Sequence, residues 1–134
     1  LATRDVVDNA RDAKDLGVDA LFVFPPQGMM DVSTAWNPSQ YPEVWVDMLN
    51  SIAREVDLPM ITHPTASGSS PLFGQGMPLD ATLRFCRDVP NIAGWKMLYP
   101  YPGYRVVAEA LRSLDQPVAV MGALATFFHE YHTM

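Results

Sequence analysis

Lys96 is the residue whose surroundings most clearly suggest chemistry. The chain has two lysines: Lys14 lies in a charged stretch, whereas Lys96 lies near the end of an apolar segment, between Trp95 and Met97. Burying an ammonium there costs free energy unless it is paired or loses its proton. The neutral amine can attack a ketone and form an imine. The alternative is a structural lysine that reaches solvent or pairs with a carboxylate.

His63 ends another apolar segment, LPMITH. An imidazole can accept and donate protons near neutral pH, so His63 is a candidate general acid and base. The alternative is a histidine that only makes a hydrogen bond at the end of a strand. Nearby hydroxyls that could contact a ligand belong to Thr62, Thr65, Ser67 and Ser69.

Four short apolar segments predict the strands that must position these side chains. They are residues 19–24, 58–63, 92–98 and 118–121. Nearly continuous apolar character is typical of strands buried on both faces of a parallel sheet. Strand alternation predicts that Ile92, Gly94 and Lys96 share one face of the third strand and Ala93, Trp95 and Met97 the other.

Helical patterns separate these strands. Residues 3–16, with Thr3 as the cap and Gly17 as the stop, are followed by helices predicted at 41–56, 79–88, 104–114 and 123–132. Alternating helices and strands indicate a parallel sheet. The strand starts are spaced by 39, 34 and 26 residues, close to the roughly 31 residues per unit of a complete barrel.

The predicted fold class is therefore α/β. Residues 1–134 form a single partial domain with about four βα units, or about half of a parallel (β/α)8 TIM barrel. A doubly wound sheet has a compatible order of elements, but no glycine-rich phosphate loop follows any predicted strand. The long loops 25–40 and 64–78 follow strand ends, which form the catalytic rim in a barrel.

Composition restricts the partners and the compartment. The formal charge is −6, and the nine basic residues are dispersed, so nucleic acid is not an expected partner. The apolar runs are too short for a membrane span, and the charged residues 1–8 do not suggest a signal peptide. The single Cys86 indicates a reducing compartment, and we expect cytoplasm. We expect Cys86 to be a buried structural thiol and the His129–His132 pair not to bind metal.

Four segments in register resemble the dihydrodipicolinate synthase / N-acetylneuraminate lyase family. PNIAGWKM resembles the strand with the Schiff-base lysine, and the other three segments are GVDALFVFPP, REVDLPMITHP and PVAVMG. The resemblance implies that Lys96 attacks the keto carbon of pyruvate or a related 2-keto acid. Carbon–carbon cleavage, condensation or dehydration would then proceed through an enamine, with no metal or organic cofactor. It also implies a homo-oligomer.

This sequence departs from the family pattern at several positions. The acid/base tyrosine of the family falls on His63, and an earlier tyrosine falls near Gln27. The arginine that binds the second substrate falls near Gly68, which argues against dihydrodipicolinate synthesis itself. Gly122 matches the glycine that lines the pocket. The predicted substrate-binding residues are Gly122, Thr62, Thr65 and Gln27.

Two other classes of protein remain open from the sequence. The family's carboxylate-binding hydroxyls belong to an early strand, and we expect that strand and the last strand to lie outside these 134 residues. The isolated chain is therefore expected to be inactive. One alternative to a class I lyase is a non-catalytic barrel relative that binds a keto acid, or a half-barrel assembly module. The other is an open α/β domain of unrelated function.

Overall fold

A computed structural model describes residues 3–24, 41–63, 79–97 and 101–122, the side chains at 81, 101 and 102 excepted. In these ranges helices and strands alternate strictly. The order is α1 (Thr3–Asp15), β1 (Leu21–Phe22), α2 (Glu43–Glu55), β2 (Met60–Thr62), α3 (Leu79–Asp88), β3 (Ile92–Met97), α4 (Tyr101–Arg112) and β4 (Ala119–Gly122). The predicted alternation is confirmed.

Some predicted boundaries were wrong. Helix α4 begins at Tyr101, not at residue 104, because Pro102 is compatible with a first helical turn, where its missing N–H is not needed. Thr3 is the first residue of α1 and not a cap before it. Strand β1 has two residues, although Val23 N–H still donates to the Ile61 carbonyl at 2.8 Å. The helix predicted at 123–132 lies outside the described residues.

Gly17 ends α1, as the sequence predicted. Its φ is +81°, a conformation that residues with a Cβ rarely adopt. Gly17 N–H donates to the Lys14 carbonyl at 2.9 Å, and Val18 N–H donates to the Ala13 carbonyl at 3.3 Å. These two bonds form a Schellman motif, which satisfies carbonyls at the end of the helix and turns the chain towards β1.

The four strands form one parallel sheet in the order β1-β2-β3-β4, which is their order along the chain. In a doubly wound sheet, strand order reverses at a switch point. No reversal occurs among the described strands, so the sheet is part of a (β/α) barrel, as the sequence predicted.

The core lies between the sheet and the helices. Trp45 of α2, Phe85 of α3 and Trp95 of β3 are all fully buried. The ring centroids of Trp45 and Phe85 are 4.9 Å apart, those of Phe85 and Trp95 5.7 Å, and those of Trp45 and Trp95 6.1 Å. This aromatic trio holds two helices against one face of β3.

The packing of the opposite face of the sheet depends on Gly94; we call it the open face because none of the described helices covers it. A Cβ at this position would lie 2.5 Å from Met121 Cε and 3.2 Å from Ile61 Cγ1. The absence of a side chain lets Ile61 and Met121 approach each other across β3. These contacts also show that the three residues share one face.

An irregularity between β2 and β3 sets their relative register. Met60 pairs with Ile92, but the next residue, Ile61, pairs with Gly94, so β3 advances two residues while β2 advances one. Ala93 is the extra residue. Beyond this bulge, Thr62 pairs with Trp95.

Replacing Trp95 tests the packing of the aromatic trio. We expect Trp95→Ala to lower the free energy of unfolding by about 3–5 kcal/mol because it leaves a large cavity. Trp95→Phe should cost less, since the indole N–H of Trp95 is buried without a hydrogen-bond partner among the described residues. Urea denaturation followed by circular dichroism measures both.

The control is Leu16→Ala, at a side chain that is 83% exposed. It should change the free energy of unfolding by less than about 0.5 kcal/mol. Equal losses for Trp95→Ala and Leu16→Ala would contradict the packing described here.

Candidate functional site

Lys96 lies on the open face of the sheet, at the carboxyl end of β3. Its neighbour Trp95 points into the helix layer, so strand alternation directs Lys96 the other way. On β4 its partner is Met121. The Cε atom of Met121 lies on the same open face, where a Cβ on Gly94 would be. Lys96 is half-buried. The predicted division of β3 is confirmed for Gly94, Trp95 and Lys96. It was wrong for Ile92, because the bulge at Ala93 breaks the alternation: Ile92 pairs with Met60, on the face opposite to Ile61 and Gly94.

His63 follows β2 on the same open face. Thr62 pairs with Trp95 on the helix side, so His63 comes beside Lys96 on the other side. The imidazole is largely buried, with 9% of the residue exposed. The structure therefore brings together the two residues that the sequence predicted to be catalytic.

Two phenylalanines that the sequence analysis did not single out complete the group. Lys96 Nζ lies 5.3 Å from the ring centroid of Phe22, within the range of a cation–π contact. Phe22 and Phe24 have centroids 4.9 Å apart, and His63 lies 5.5 Å from Phe22. His63 meets Phe24 edge to face, at 4.8 Å and 86°. We call Phe22, Phe24, His63 and Lys96 the Lys96 cluster.

The alternation within DALFVF was the signal that could have identified Phe22 and Phe24. Two residues apart on a strand, they share one face, and the alternation of buried Leu21 and Val23 with exposed Phe22 and Phe24 shows this. Because the segment was treated as continuously apolar, its two faces were not separated.

The cluster combines one amine, one imidazole and apolar ring surface at the edge of the sheet where barrel active sites lie. An amine that is not held in an ion pair can act as a nucleophile when it is neutral. An imidazole beside it can carry the protons that imine formation requires. The arrangement suits covalent chemistry on a carbonyl compound.

The other predicted residues are placed differently. Thr62 is fully buried on the helix side, and its hydroxyl donates to the Val23 carbonyl at 2.7 Å. The structure therefore does not bring Thr62 to Lys96. Gly122 is exposed at the end of β4 and directly follows Met121. The remaining candidates, Gln27, Thr65, Ser67 and Ser69, lie outside the described residues.

The ion pairs found among the described residues lie on helices, and none involves Lys96. The pair of Arg11 on α1 with Glu55 on α2 joins two helices at 2.8 Å. The hydrogen bond to Glu55, with the charge of that carboxylate, raises the pKa of Arg11. Within the described ranges, no group of three or more potential metal ligands occurs, and no helix is long and apolar enough to span a membrane.

Cys86 is not part of the cluster. It is fully buried on α3, which confirms the expected buried thiol. Burial raises the pKa of Cys86 to about 12, because the thiolate would lose its hydration. A thiol of this kind is a poor nucleophile at neutral pH.

The chain is similar to solved structures of dihydrodipicolinate synthases. The enzyme from Aquifex aeolicus superposes with a TM-score of 0.66 at 20% identity, over 94% of this chain and 38% of that one. The enzyme from Acinetobacter baumannii, in complex with pyruvate, gives 0.64 at 26% identity, over 91% and 36%. The enzyme from Bacillus anthracis gives 0.67 at 19% identity, over 98% and 40%.

No protein-family model and no curated protein sequence matches this chain. The chain spans 36–40% of the length of these three structures. It has the fold of part of the dihydrodipicolinate synthase barrel. The expected resemblance is thus confirmed at the level of structure.

The buried state of Cys86 can be tested by alkylation. With a pKa of about 12 in place of the ordinary 9.0, the folded chain holds about a thousandfold less thiolate at pH 8 than the unfolded chain. We expect iodoacetamide to label Cys86 at least about a hundredfold more slowly in buffer than in 8 M urea. Equal rates, measured by mass spectrometry, would contradict the burial of this thiol.

Proposed function

We propose that this chain is the part of a pyruvate-type class I lyase, aldolase or dehydratase that carries the Schiff-base lysine. The observation that supports the proposal is the position of Lys96 on the open face of the sheet, beside His63 and at the carboxyl end of β3. The likeness to dihydrodipicolinate synthases, one of them in complex with pyruvate, supports a 2-keto acid as substrate.

In the proposed reaction the neutral Lys96 amine attacks the keto carbon, and a nitrogen–carbon bond forms. The carbonyl oxygen then takes up protons and leaves as water, which gives a protonated imine. The imine accepts the electron pair of the adjacent bond that breaks, and an enamine results. Protonation of the enamine and hydrolysis return the free amine of Lys96. No metal or organic cofactor enters these steps.

We propose that His63 carries the protons in these steps. Its ring lies between the phenylalanines on the open face, on the same side of the sheet as Lys96. An imidazole can protonate the departing oxygen and then accept a proton from the incoming water. In this role His63 would replace the tyrosine that the family resemblance places at this position.

Borohydride trapping tests the role of Lys96. The longest polypeptide that contains these residues is incubated with pyruvate and reduced, and the adduct is mapped by mass spectrometry. We expect the mass increase on Lys96 and none on Lys14, the only other lysine of the chain. Lys96→Ala should abolish both the adduct and turnover, whereas Lys14→Ala should preserve both. Turnover that survives in Lys96→Ala would remove Lys96 from the mechanism.

Replacing His63 with phenylalanine tests the proton carrier. Phenylalanine keeps the ring contacts with Phe22 and Phe24 but has no titratable nitrogen. We expect kcat to fall by roughly 10²-fold or more while the chain remains folded. The pH dependence of kcat near neutrality should be altered as well. A decrease of less than about threefold would make His63 a structural residue.

A non-catalytic relative that binds a keto acid, or a half-barrel assembly module, is the second candidate. The observation in its favour is that two residues of the family pattern are missing: the tyrosine falls on His63, and the arginine falls near Gly68. A keto acid that binds without forming a trappable adduct would support it.

For the whole protein we also propose a homo-oligomer in the cytoplasm.

A further inference from the structure

We propose that the substrate carries an aromatic or similarly planar apolar group close to its keto carbon, and that Phe22 and Phe24 form the wall that receives this group. The inference rests on the imine chemistry proposed for Lys96. It goes further by assigning the substrate class, and it follows from the surroundings of the amine and from the distribution of charge in the chain.

The two phenylalanine rings lie beside the amine and are left partly uncovered by the other residues of this chain. Phe22 is 43% exposed and Phe24 is 55% exposed, although both lie on the same sheet face as Lys96. Their centroids are 4.9 Å apart, and Phe22 lies 5.3 Å from Lys96 Nζ. Aromatic surfaces of this kind accept a further ring in offset or edge-to-face contact. A ring attached close to the keto carbon would therefore meet this surface while the carbon reaches Lys96.

His63 continues the aromatic surface and fixes its orientation. Its edge-to-face contact with Phe24, at 4.8 Å and 86°, holds the two rings nearly perpendicular. The imidazole is largely buried while Phe24 is not, so the accessible part of the surface is the phenylalanine side. A planar group can pack there without displacing the proposed proton carrier.

The positive charges of the chain do not favour a substrate with a second acidic group. All nine lysine and arginine residues fall within the described ranges, and eight of them lie on helices. The ninth is Lys96, whose amine forms the imine in the proposed reaction. A carboxylate on the variable part of the substrate would thus face phenylalanine rings without a cation from this chain. Burying such a charge unpaired is costly. The eight helical cations are Arg4, Arg11, Lys14, Arg54, Arg84, Arg87, Arg105 and Arg112.

Three keto acids that differ only in their side chains test this inference. Pyruvate has a methyl group, 2-oxo-4-phenylbutanoate has an aromatic ring, and 2-oxoglutarate has a second carboxylate. For each, we would measure the concentration that gives half-maximal borohydride adduct on Lys96 in the longest polypeptide that contains these residues. We expect the half-saturating concentration of the phenyl compound to be at least about tenfold lower than that of pyruvate. The half-saturating concentration of 2-oxoglutarate should be equal to or higher than that of pyruvate.

Phe24→Ala should reduce the preference for the phenyl compound over pyruvate to less than about threefold. The matched control is Leu16→Ala, which truncates another exposed apolar side chain, one that lies beyond the end of α1. This variant should keep the wild-type preference. Circular dichroism establishes that both variants are folded. The comparison of the three acids in the wild-type protein does not depend on either variant.

The outcomes separate the two proposals. No adduct on Lys96 with any of the acids, in a folded protein, would overturn the imine chemistry and the substrate class together. An adduct with pyruvate at an equal or lower concentration than with the phenyl compound would overturn the substrate class alone. A preference that persists in Phe24→Ala would show that the rings do not form the wall.

Discussion

The burial of Trp95 between two helices is the constraint on which the candidate site depends. Side chains alternate along a strand, so a residue held on one face fixes the direction of its neighbours. Trp95 is held by Trp45 and Phe85, and Lys96 must therefore project from the opposite face. The free energy gained by burying three aromatic rings thus keeps the amine of Lys96 out of the core. The stability of the fold and the position of its reactive group have one physical origin.

The sequence predicted the fold class well, because buried parallel strands and amphipathic helices have distinct periodicities. Helix α3 was predicted with its observed limits, Leu79–Asp88, and β3 within one residue. The start of α4 was missed because Pro102 precedes its apolar stripe, although a first turn tolerates proline. Apolar periodicity reports which face a helix buries, and it carries little information about a terminal turn that contributes nothing to the core.

The site was predicted only in part. Lys96 and His63 were identified because polar residues at the ends of apolar segments are conspicuous. Phe22 and Phe24 were not, because their segment was treated as continuously apolar and its alternation was not used to separate the two faces. Thr62 shows the opposite problem: its position at a strand end suggested a ligand contact, but its hydroxyl satisfies the Val23 carbonyl on the helix side. Contacts between strands, which a single sequence does not contain, decide such cases.

The bulge between β2 and β3 has a consequence for how the site could change over evolution. Because β3 contains one extra residue at Ala93, His63 comes to lie beside Lys96; in an unbroken ladder it would lie level with Trp95. The pairing of imidazole and amine thus depends on the bulge that leaves Ala93 unpaired, as well as on the identity of either side chain. If the two strands instead paired without a break from Met60 and Ile92, His63 would exchange Lys96 for Trp95 as its neighbour while both residues stayed in the sequence. A change of strand register, as well as a substitution of either residue, would therefore separate the imidazole from the amine.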